Sequence, residues 1–435
     1  MKAVAAGAGL AGCEAAWQLA NEGVEVTLCD IKPAAKTPAH HSEKFGELVC
    51  SNSLKSNEIT NASGLLKEEM RRLNSLIIAC ADITKIPAGG ALAVDREAFS
   101  ELITEKIKSH PNIKIAAEEI KDIPKADAVI IATGPLTTEA LSNSIAKKMG
   151  SDNLYFFDAA APIVTFESID MSKAFFASRY DKGTPDYVNC PMGKEEYKAF
   201  YEALINAEGA ELKEFDKKAL KVFEGCMPVE VMAKRGEKTL IFGPLKPVGL
   251  RNPLTGKEAY AVVQLRKDNK EGTLYNLVGF QTNLKFCEQK RVFSLVPALK
   301  NAEFVRHGVM HRNTFIYSPH ILNEYYQCRD IQNLFFAGQI TGVEGYVESA
   351  SSGLVAGLNA AKFLKGKPLI DFPKETAIGA LAHYISDESI KVFQPMNINY
   401  SLIARVKIRD KKLKAQSIAD RSLKIIGGLK DDDNR

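Results

Sequence analysis

The sequence predicts an α/β fold, a Rossmann-like parallel sheet interrupted by an inserted α+β domain, and three observations carry that prediction. The stretch Met1 to Asp30 reads as strand, glycine turn, helix and strand in register. Lys2–Ala6 is apolar, Gly7-Ala-Gly9-Leu-Ala-Gly12 follows at once, a helical pattern runs from Leu10 to Glu22 until Gly23 stops it, and Val24–Cys29 alternates up to Asp30. Two later runs, Ala128–Gly134 and Asn333–Gly338, are apolar on both faces and stop on glycine, as strands inside a parallel sheet do. Between about Ser178 and Asn313 the alternation of strand and helix is lost, which marks an insertion.

The opening unit is a βαβ nucleotide cradle. Gly7 permits the tight turn, Gly9 lets the backbone approach a pyrophosphate, and Gly12 lets helix and strand pack closely. Leu10 and Ala11 begin a helix whose free N–H groups face the anion, and Asp30 is placed to hold ribose hydroxyls. The polar stretch Thr37–Asn61 has little periodicity and is long enough to line a site. Leu65–Leu76 is amphipathic and helical, Pro87–Gly90 is a loop, and Asp95 caps a helix that begins at Arg96 and buries Phe99, Leu102 and Ile103. Ile113–Ala116 reads as a weak strand. The inserted segment opens on Gly183-Thr-Pro185, carries a helix near Glu195–Asn206, and continues through Gly225-Cys-Met-Pro228 and Gly243-Pro-Leu-Lys-Pro-Val-Gly249. A helix over about Tyr346–Phe363 follows the late strand, Lys365–Pro373 is a connector, and Asp431–Arg435 is a tail. The expected division is therefore 1–177 and 314–435 for the first domain and 178–313 for the insert.

Composition is that of an ordinary globular protein: 435 residues, 46% hydrophobic and 25% charged, enough chain for two cores. No run is long and apolar enough to span a bilayer, and the chain starts directly on a strand, so a cytosolic protein without a membrane partner is expected. The eight cysteines are scattered, with no CxxC pair or histidine cluster at metal-ligand spacing, which excludes a zinc site or a disulfide framework and leaves free thiols. The net charge of +4 is unevenly spread. Lys246–Arg312 holds twelve Lys/Arg against five Asp/Glu, so the rest of the chain is net negative.

Two further signals turn a dinucleotide cradle into a flavin site. The strand ending Ala132-Thr133-Gly134 resembles the ATG turn of two-dinucleotide-fold flavoproteins. Phe336-Ala-Gly338-Gln339 through Gly345 resembles their second flavin signature, where a helix N-terminus points at the pyrimidine end of the isoalloxazine. Gln339 stands where most such proteins carry aspartate, so the ribityl contact is expected from an amide. One cradle with no second GxGxxG makes FAD the expected resident cofactor. Gly7–Gly12, Thr37-Pro-Ala-His-His41, Glu47-Leu-Val-Cys-Ser-Asn-Ser-Leu54, Glu224-Gly-Cys-Met-Pro-Val-Glu230, Phe242–Gly249 and Phe336–Tyr346 together resemble the TrmFO family of folate- and flavin-dependent tRNA (uracil-5-)-methyltransferases. The resemblance implies methyl transfer to C5 of the T-loop uridine of tRNA. The carbon would come from 5,10-methylenetetrahydrofolate and the electrons from NADH or NADPH through reduced FAD.

The residue chemistry agrees with this. Carbon 5 of uracil is a poor nucleophile until something adds at C6, and a thiolate suits that addition. Cys226 lies in a Gly-Cys-Met-Pro turn with Lys234 and Arg235 soon after, and nearby positive charge favours a thiolate; Cys50 lies in the polar stretch that should adjoin the flavin. By resemblance Cys226 attacks C6 and Cys50 assists at the flavin. His40 and His41 are candidates for flavin or folate contacts, and Lys246 for a phosphate or folate-glutamate contact. The basic segment sets Arg266, Lys267, Lys285, Lys290 and Arg291 beside Tyr275, Phe280 and Phe286, so Arg266, Lys285 and Phe280 are candidates for holding RNA by phosphate contact and base stacking. Nothing points to DNA. The same chemistry on ribosomal RNA, a plain NAD(P)H-oxidising flavoprotein, and an RNA-binding protein with a vestigial cradle are the alternatives.

Overall fold

The computed structural model describes residues 1–37, 39–150, 154–210, 227–253, 255–391 and 393–433. The chain opens as expected: β1 (Lys2–Ala6), α1 (Leu10–Asn21) and β2 (Glu25–Asp30). A small antiparallel sheet follows, made by β3 (Ser53–Ser56), β4 (Lys85–Ile86) and β5 (Ala91–Val94) in the order β3-β5-β4, with α2 (Ala62–Arg72) and α3 (Leu76–Ile83) between its first two strands. Then come α4 (Arg96–Ser109), β6 (Ile113–Ala117), β7 (Ala128–Ile131) and α5 (Glu139–Met149). Asp95 caps α4 by accepting the Ala98 N–H at 3.0 Å, with Glu97 in the first turn and Lys106 and Lys108 in the last, each charge opposing the helix dipole. The predicted helix over 65–76 is two helices in fact. Buried Glu14 explains the break: its carboxylate accepts the Leu76 and Ile77 N–H groups and the Ser75 hydroxyl, starting α3 in a new direction.

The chain leaves the first domain on β8 (Leu154–Ala159) and returns on β15 (Met310–Phe315), which pair antiparallel as a two-stranded ribbon. Between them lie β9 (Ile163–Thr165), β10 (Phe175–Ala177), β11 (Tyr187–Met192), α6 (Lys194–Ile205), α7 (Val229–Ala233), α8 (Thr239–Phe242), β12 (Ala261–Lys267), β13 (Leu274–Leu277), α9 (Phe286–Phe293) and β14 (Phe304–Arg306). Their sheet has the order β10-β11-β12-β13-β9-β14 and covers a separate core of Tyr197, Phe200, Phe280 and Phe293 among others. It includes β9 and β10, upstream of the boundary expected at 178. Strands of three residues show too little alternation to be read locally, and only their pairing with β13 and β11 assigns them to this sheet.

The first domain resumes with α10 (Ser318–Ile321), β16 (Leu334–Phe336) and α11 (Tyr346–Leu364), completing a parallel sheet in the order β16-β7-β1-β2-β6. Gly353 lets α11 lie against α1: a Cβ there would sit 2.2 Å from the Ala11 carbonyl oxygen. The chain ends on α12 (Ala377–Ile385) and α13 (Lys411–Asp433), neither of them predicted. Buried Glu69 on α2 docks both, accepting the Ala377 and Ile378 N–H groups at 2.7 and 2.8 Å and the Ser422 hydroxyl. The expected tail at Asp431–Arg435 is helical through Asp433, and its last two residues lie outside the described ones.

Candidate active site

A cavity of about 450 Å³ runs from the glycine turn after β1 to the junction of the two domains. Gly7, Gly9, Leu10 and Ala11 line it together with Asp30, Thr133, Gly134, Gly338 and Gln339, and Gly345 and Tyr346 line its far end beside the second domain. Gly12 lies behind the cavity, where a Cβ would fall 1.7 Å from the Gly7 carbonyl oxygen, so it serves the close packing expected of it. Gly7 has φ +98°, and a Cβ there would meet the Ala132 carbonyl oxygen at 2.5 Å. Asp30 is oriented by two backbone donors, Ala8 N–H at 2.6 Å and Lys32 N–H at 2.9 Å. A carboxylate has about four acceptor positions, so others remain for ribose hydroxyls. Gly345 is the N-cap of α11, whose first residues line the far end, and the Gln339 amide donates to Glu344 at 2.8 Å. A helix N-terminus over a pyrophosphate, an acid beyond β2 and a second N-terminus at the far end fit FAD along this cavity.

Cys50 sits at the far end, half-buried, on the cavity wall. Tyr346 at the start of α11 reaches it across 296 residues of sequence: the phenol oxygen accepts the Cys50 N–H at 2.7 Å and the Ser51 N–H at 3.2 Å, and lies 3.0 Å from Cys50 Sγ. A phenol has two acceptor lone pairs and one hydrogen. With both lone pairs taken by N–H groups, the hydrogen is left for the sulfur, which is the arrangement a thiolate uses best. Burial, reinforced by Cys50, pushes the Tyr346 hydroxyl well above its ordinary titration range, so it stays protonated.

The second domain closes this end. Buried Asn52 donates to the Val94 and Lys267 carbonyls, both at 3.0 Å, and accepts from Arg266 Nε at 3.0 Å; Arg266 Nη2 donates to Ser51 Oγ at 2.6 Å. Arg96 donates to Asp268 at 3.0 Å and to the Leu48 carbonyl at 2.6 Å. The residues on either side of Cys50 are thus clamped between the domains, and Arg266 lines the cavity beside them. Burial lowers the Arg266 guanidinium from its ordinary value. His40 also lines the cavity, with Nδ1 2.5 Å from Thr37 Oγ1, and burial first, then Lys32, lowers its titration and favours the neutral ring.

Cys226 lies outside the described residues. The chain that follows it is well placed: Met227 is buried, the Val229 N–H donates to the Gln281 carbonyl at 2.7 Å, and Gln281 lines the cavity. Glu230 secures the contact by accepting the Asn283 N–H at 2.7 Å and the Thr282 hydroxyl at 2.9 Å.

Four other sequence candidates do not line the cavity. Phe280 is fully buried in the second core against Phe200 and Phe293, so it has no face for a base; its alternation with basic residues reflects strand ends and turns rather than an exposed surface. Tyr275 is buried too, whereas Phe286 is exposed and stacks on His307. Lys285 pairs with Glu208 at 2.6 Å on the second domain's surface. Lys246 stands in a loop whose carbonyls at Lys246 and Val248 are gripped by Arg179. His41 is exposed beside the cavity. Sequence reasoning missed the roles of Tyr346, Arg96 and Asn52, because each acts through partners tens to hundreds of residues away, and the motifs that contain Asn52 and Tyr346 do not say what those side chains touch.

A model of the glucose inhibited division protein A family matches residues 2–368. Among solved structures the chain is similar to Aquifex aeolicus GidA, with a TM-score of 0.72 at 17% identity over 98% of this chain and 73% of that one, a likeness of fold. Two curated relatives cover nearly the whole length. One from Acetivibrio thermocellus is 63% identical over 97% of this chain and 96% of its own, and one from Enterococcus faecalis is 61% identical over 96% of each; both are named methylenetetrahydrofolate–tRNA-(uracil-5-)-methyltransferase TrmFO. The chain belongs to the glucose inhibited division protein A family and, by these full-length relatives, to the TrmFO family.

Proposed function

We propose that this chain methylates C5 of a uridine in tRNA, the T-loop uridine, with carbon from 5,10-methylenetetrahydrofolate, FAD as resident cofactor and NADH or NADPH as reductant. The observation that carries the reading is Cys50 on the cavity wall where the two domains meet, its sulfur 3.0 Å from the Tyr346 hydroxyl. FAD bound here and reduced by NAD(P)H would supply the two electrons that a carbon at the formaldehyde level needs to become a methyl group.

The chain's own residues do the rest. In this reading Cys226 adds to C6 of the uracil, which makes C5 nucleophilic, and Cys50 meets the transferred carbon or takes the C5 proton. Tyr346 holds the Cys50 sulfur in place, while Arg266 holds the Ser51 and Asn52 side chains after it and Arg96 the Leu48 carbonyl before it. The clamp of Val229 and Glu230 on residues 281–283 delivers the chain that follows Cys226 to the cavity wall. Arg266 faces the same cavity and offers positive charge to the incoming nucleotide. The reading places the enzyme in the cytosol with its tRNA substrate; among the described residues no helix is long and apolar enough to cross a membrane.

The test is direct. The purified protein is given unmodified tRNA, methylenetetrahydrofolate labelled in its one-carbon unit, and NAD(P)H, and the digested RNA is searched for labelled 5-methyluridine. Label entering from S-adenosylmethionine instead, or NAD(P)H oxidation that ignores RNA and is indifferent to Cys226→Ala, overturns the proposal.

A further inference from the structure

One row of residues crosses the second sheet beside this site. Tyr187 pairs with Arg266, Arg266 with Asn276, and Asn276 with Ile163, so these four project from the same face, and Arg306 meets Ile163 across a bulge in β14. Arg266 spends its donors on Ser51 and Asn52. Tyr187 is a further partner of Arg266, but the Asn276 amide nitrogen and Arg306 Nη2 are both buried without a hydrogen-bond partner. Arg306 forms no hydrogen bond and no ion pair among the described residues.

Its surroundings deepen the anomaly. Arg96, Asp268 and Glu47 are charged groups within electrostatic reach of Arg306, as is the neutral Tyr346 hydroxyl. Asp268 is already bound by Arg96, and the Glu47 carboxylate accepts the His41 and Ser42 N–H groups. Arg96 adds repulsion, and Lys36 and His41 lie on the same side. A half-buried guanidinium within reach of another guanidinium, with the Asp268 and Glu47 carboxylates already engaged, is costly to keep unless an anion joins it.

We propose that Arg306, on the edge strand β14 beside the cavity, binds a phosphodiester of the RNA strand adjoining the target uridine. The proposal rests on the RNA-methylating reading above. Guanidinium groups suit phosphate because two N–H donors match two non-bridging oxygens. Position selects the source of the anion. Arg306 is within electrostatic reach of the Tyr346 hydroxyl that touches Cys50, so a group bound there is a neighbour of the reacting base. An extruded nucleotide brings its own phosphates that close, whereas a folate carries its carboxylates at the end of the molecule remote from its one-carbon unit.

The test measures tRNA affinity of the full-length protein by fluorescence anisotropy across a salt series, for the unaltered chain, Arg306→Gln and Arg306→Lys. Arg306→Gln is expected to weaken binding about tenfold and to reduce the slope of log Kd against log salt by about one, with Arg306→Lys keeping the slope. In parallel, RNAs carrying a single neutral methylphosphonate at each phosphate near the target are bound to the same proteins. One of them should weaken binding to the unaltered chain by as much as Arg306→Gln does, and should cost the variant nothing further. An unchanged salt slope, or a raised KM for methylenetetrahydrofolate with the slope intact, overturns the proposal, the latter because the anion is then a folate carboxylate. Should Arg306→Gln fail to fold, a methylphosphonate scan that finds no sensitive phosphate with the unaltered chain overturns it as well. The labelled-folate assay is read separately: missing 5-methyluridine with the slope change present defeats the reaction and leaves the contact standing, and the converse defeats the contact alone.

Discussion

Tyr346→Phe tests the heart of the site, because it removes one oxygen and keeps the ring. That oxygen accepts the Cys50 and Ser51 N–H groups and has its hydrogen left for Cys50 Sγ at 3.0 Å. A hydrogen bond to a charged group contributes about 1.5–3 kcal/mol, which corresponds to roughly a 10- to 100-fold change in the thiolate population at a given pH. The sign follows from the direction of the bond. Losing a donor disfavours the charged sulfur, so the variant has less thiolate near neutrality, and the deficit closes as rising pH ionises the thiol in both proteins. Two N–H groups also lose their acceptor, and about 2 kcal/mol of stability should go with them. The assay is the rate of Cys50 alkylation by iodoacetamide, followed by peptide mass spectrometry from pH 6 to pH 10, beside kcat for methyl transfer over the same range. Both should fall at least about tenfold near pH 7 and converge with the unaltered chain at high pH. Equal or faster alkylation at pH 7 would refute the reasoning, since the sulfur would then be the donor and the phenol its acceptor.

Three further outcomes are expected. Gly12→Ala should destabilise the fold by at least about 3 kcal/mol and cost the protein its flavin, because a methyl 1.7 Å from the Gly7 carbonyl oxygen meets backbone that cannot rotate away. Gly9→Ala, with nothing within 4 Å of the new methyl, should unfold normally yet hold flavin about tenfold less tightly; thermal unfolding and flavin absorbance separate the two. Burial raises the Glu69 carboxyl from 4.5 to about 7, so between these values the folded state keeps a proton that the unfolded state releases. Stability should therefore fall by up to about 3 kcal/mol as pH rises through that window, and Glu69→Gln should flatten the slope in urea unfolding; a slope that survives the substitution assigns it elsewhere. Phe280→Ala should cost about 3–5 kcal/mol as a core truncation, whereas exposed Phe286→Ala should stay within about 0.5 kcal/mol. A stable Phe280→Ala that loses only tRNA affinity would show the burial account to be wrong.

Much of the molecule was legible in the sequence because the relevant interactions are local. The βαβ opening is a matter of apolar period, three glycines at fixed spacing and one acid, all within thirty residues, and its elements fall within a residue or two of the expected bounds. The same holds for the Asp95 cap, for the late strand, and for the helix that starts at Tyr346 after Gly345. Residues that depend on distant partners were not legible. Phe280 and Phe286 stand in one aromatic and basic stretch, yet one is core and the other surface, a choice made by the sheet that packs over them. The boundary of the insert moved upstream because strands as short as β9 and β10 acquire meaning only when paired. By itself the chain determined the cofactor cradle, the family and which sulfur atoms to watch, since these are written in contiguous motifs. Only the tertiary structure decided that a tyrosine 296 residues away holds Cys50, that Asn52 and Arg266 join the domains around it, and that Arg306 Nη2 is buried with no hydrogen-bond partner among the described residues, because hydrogen bonds are settled by neighbours in space.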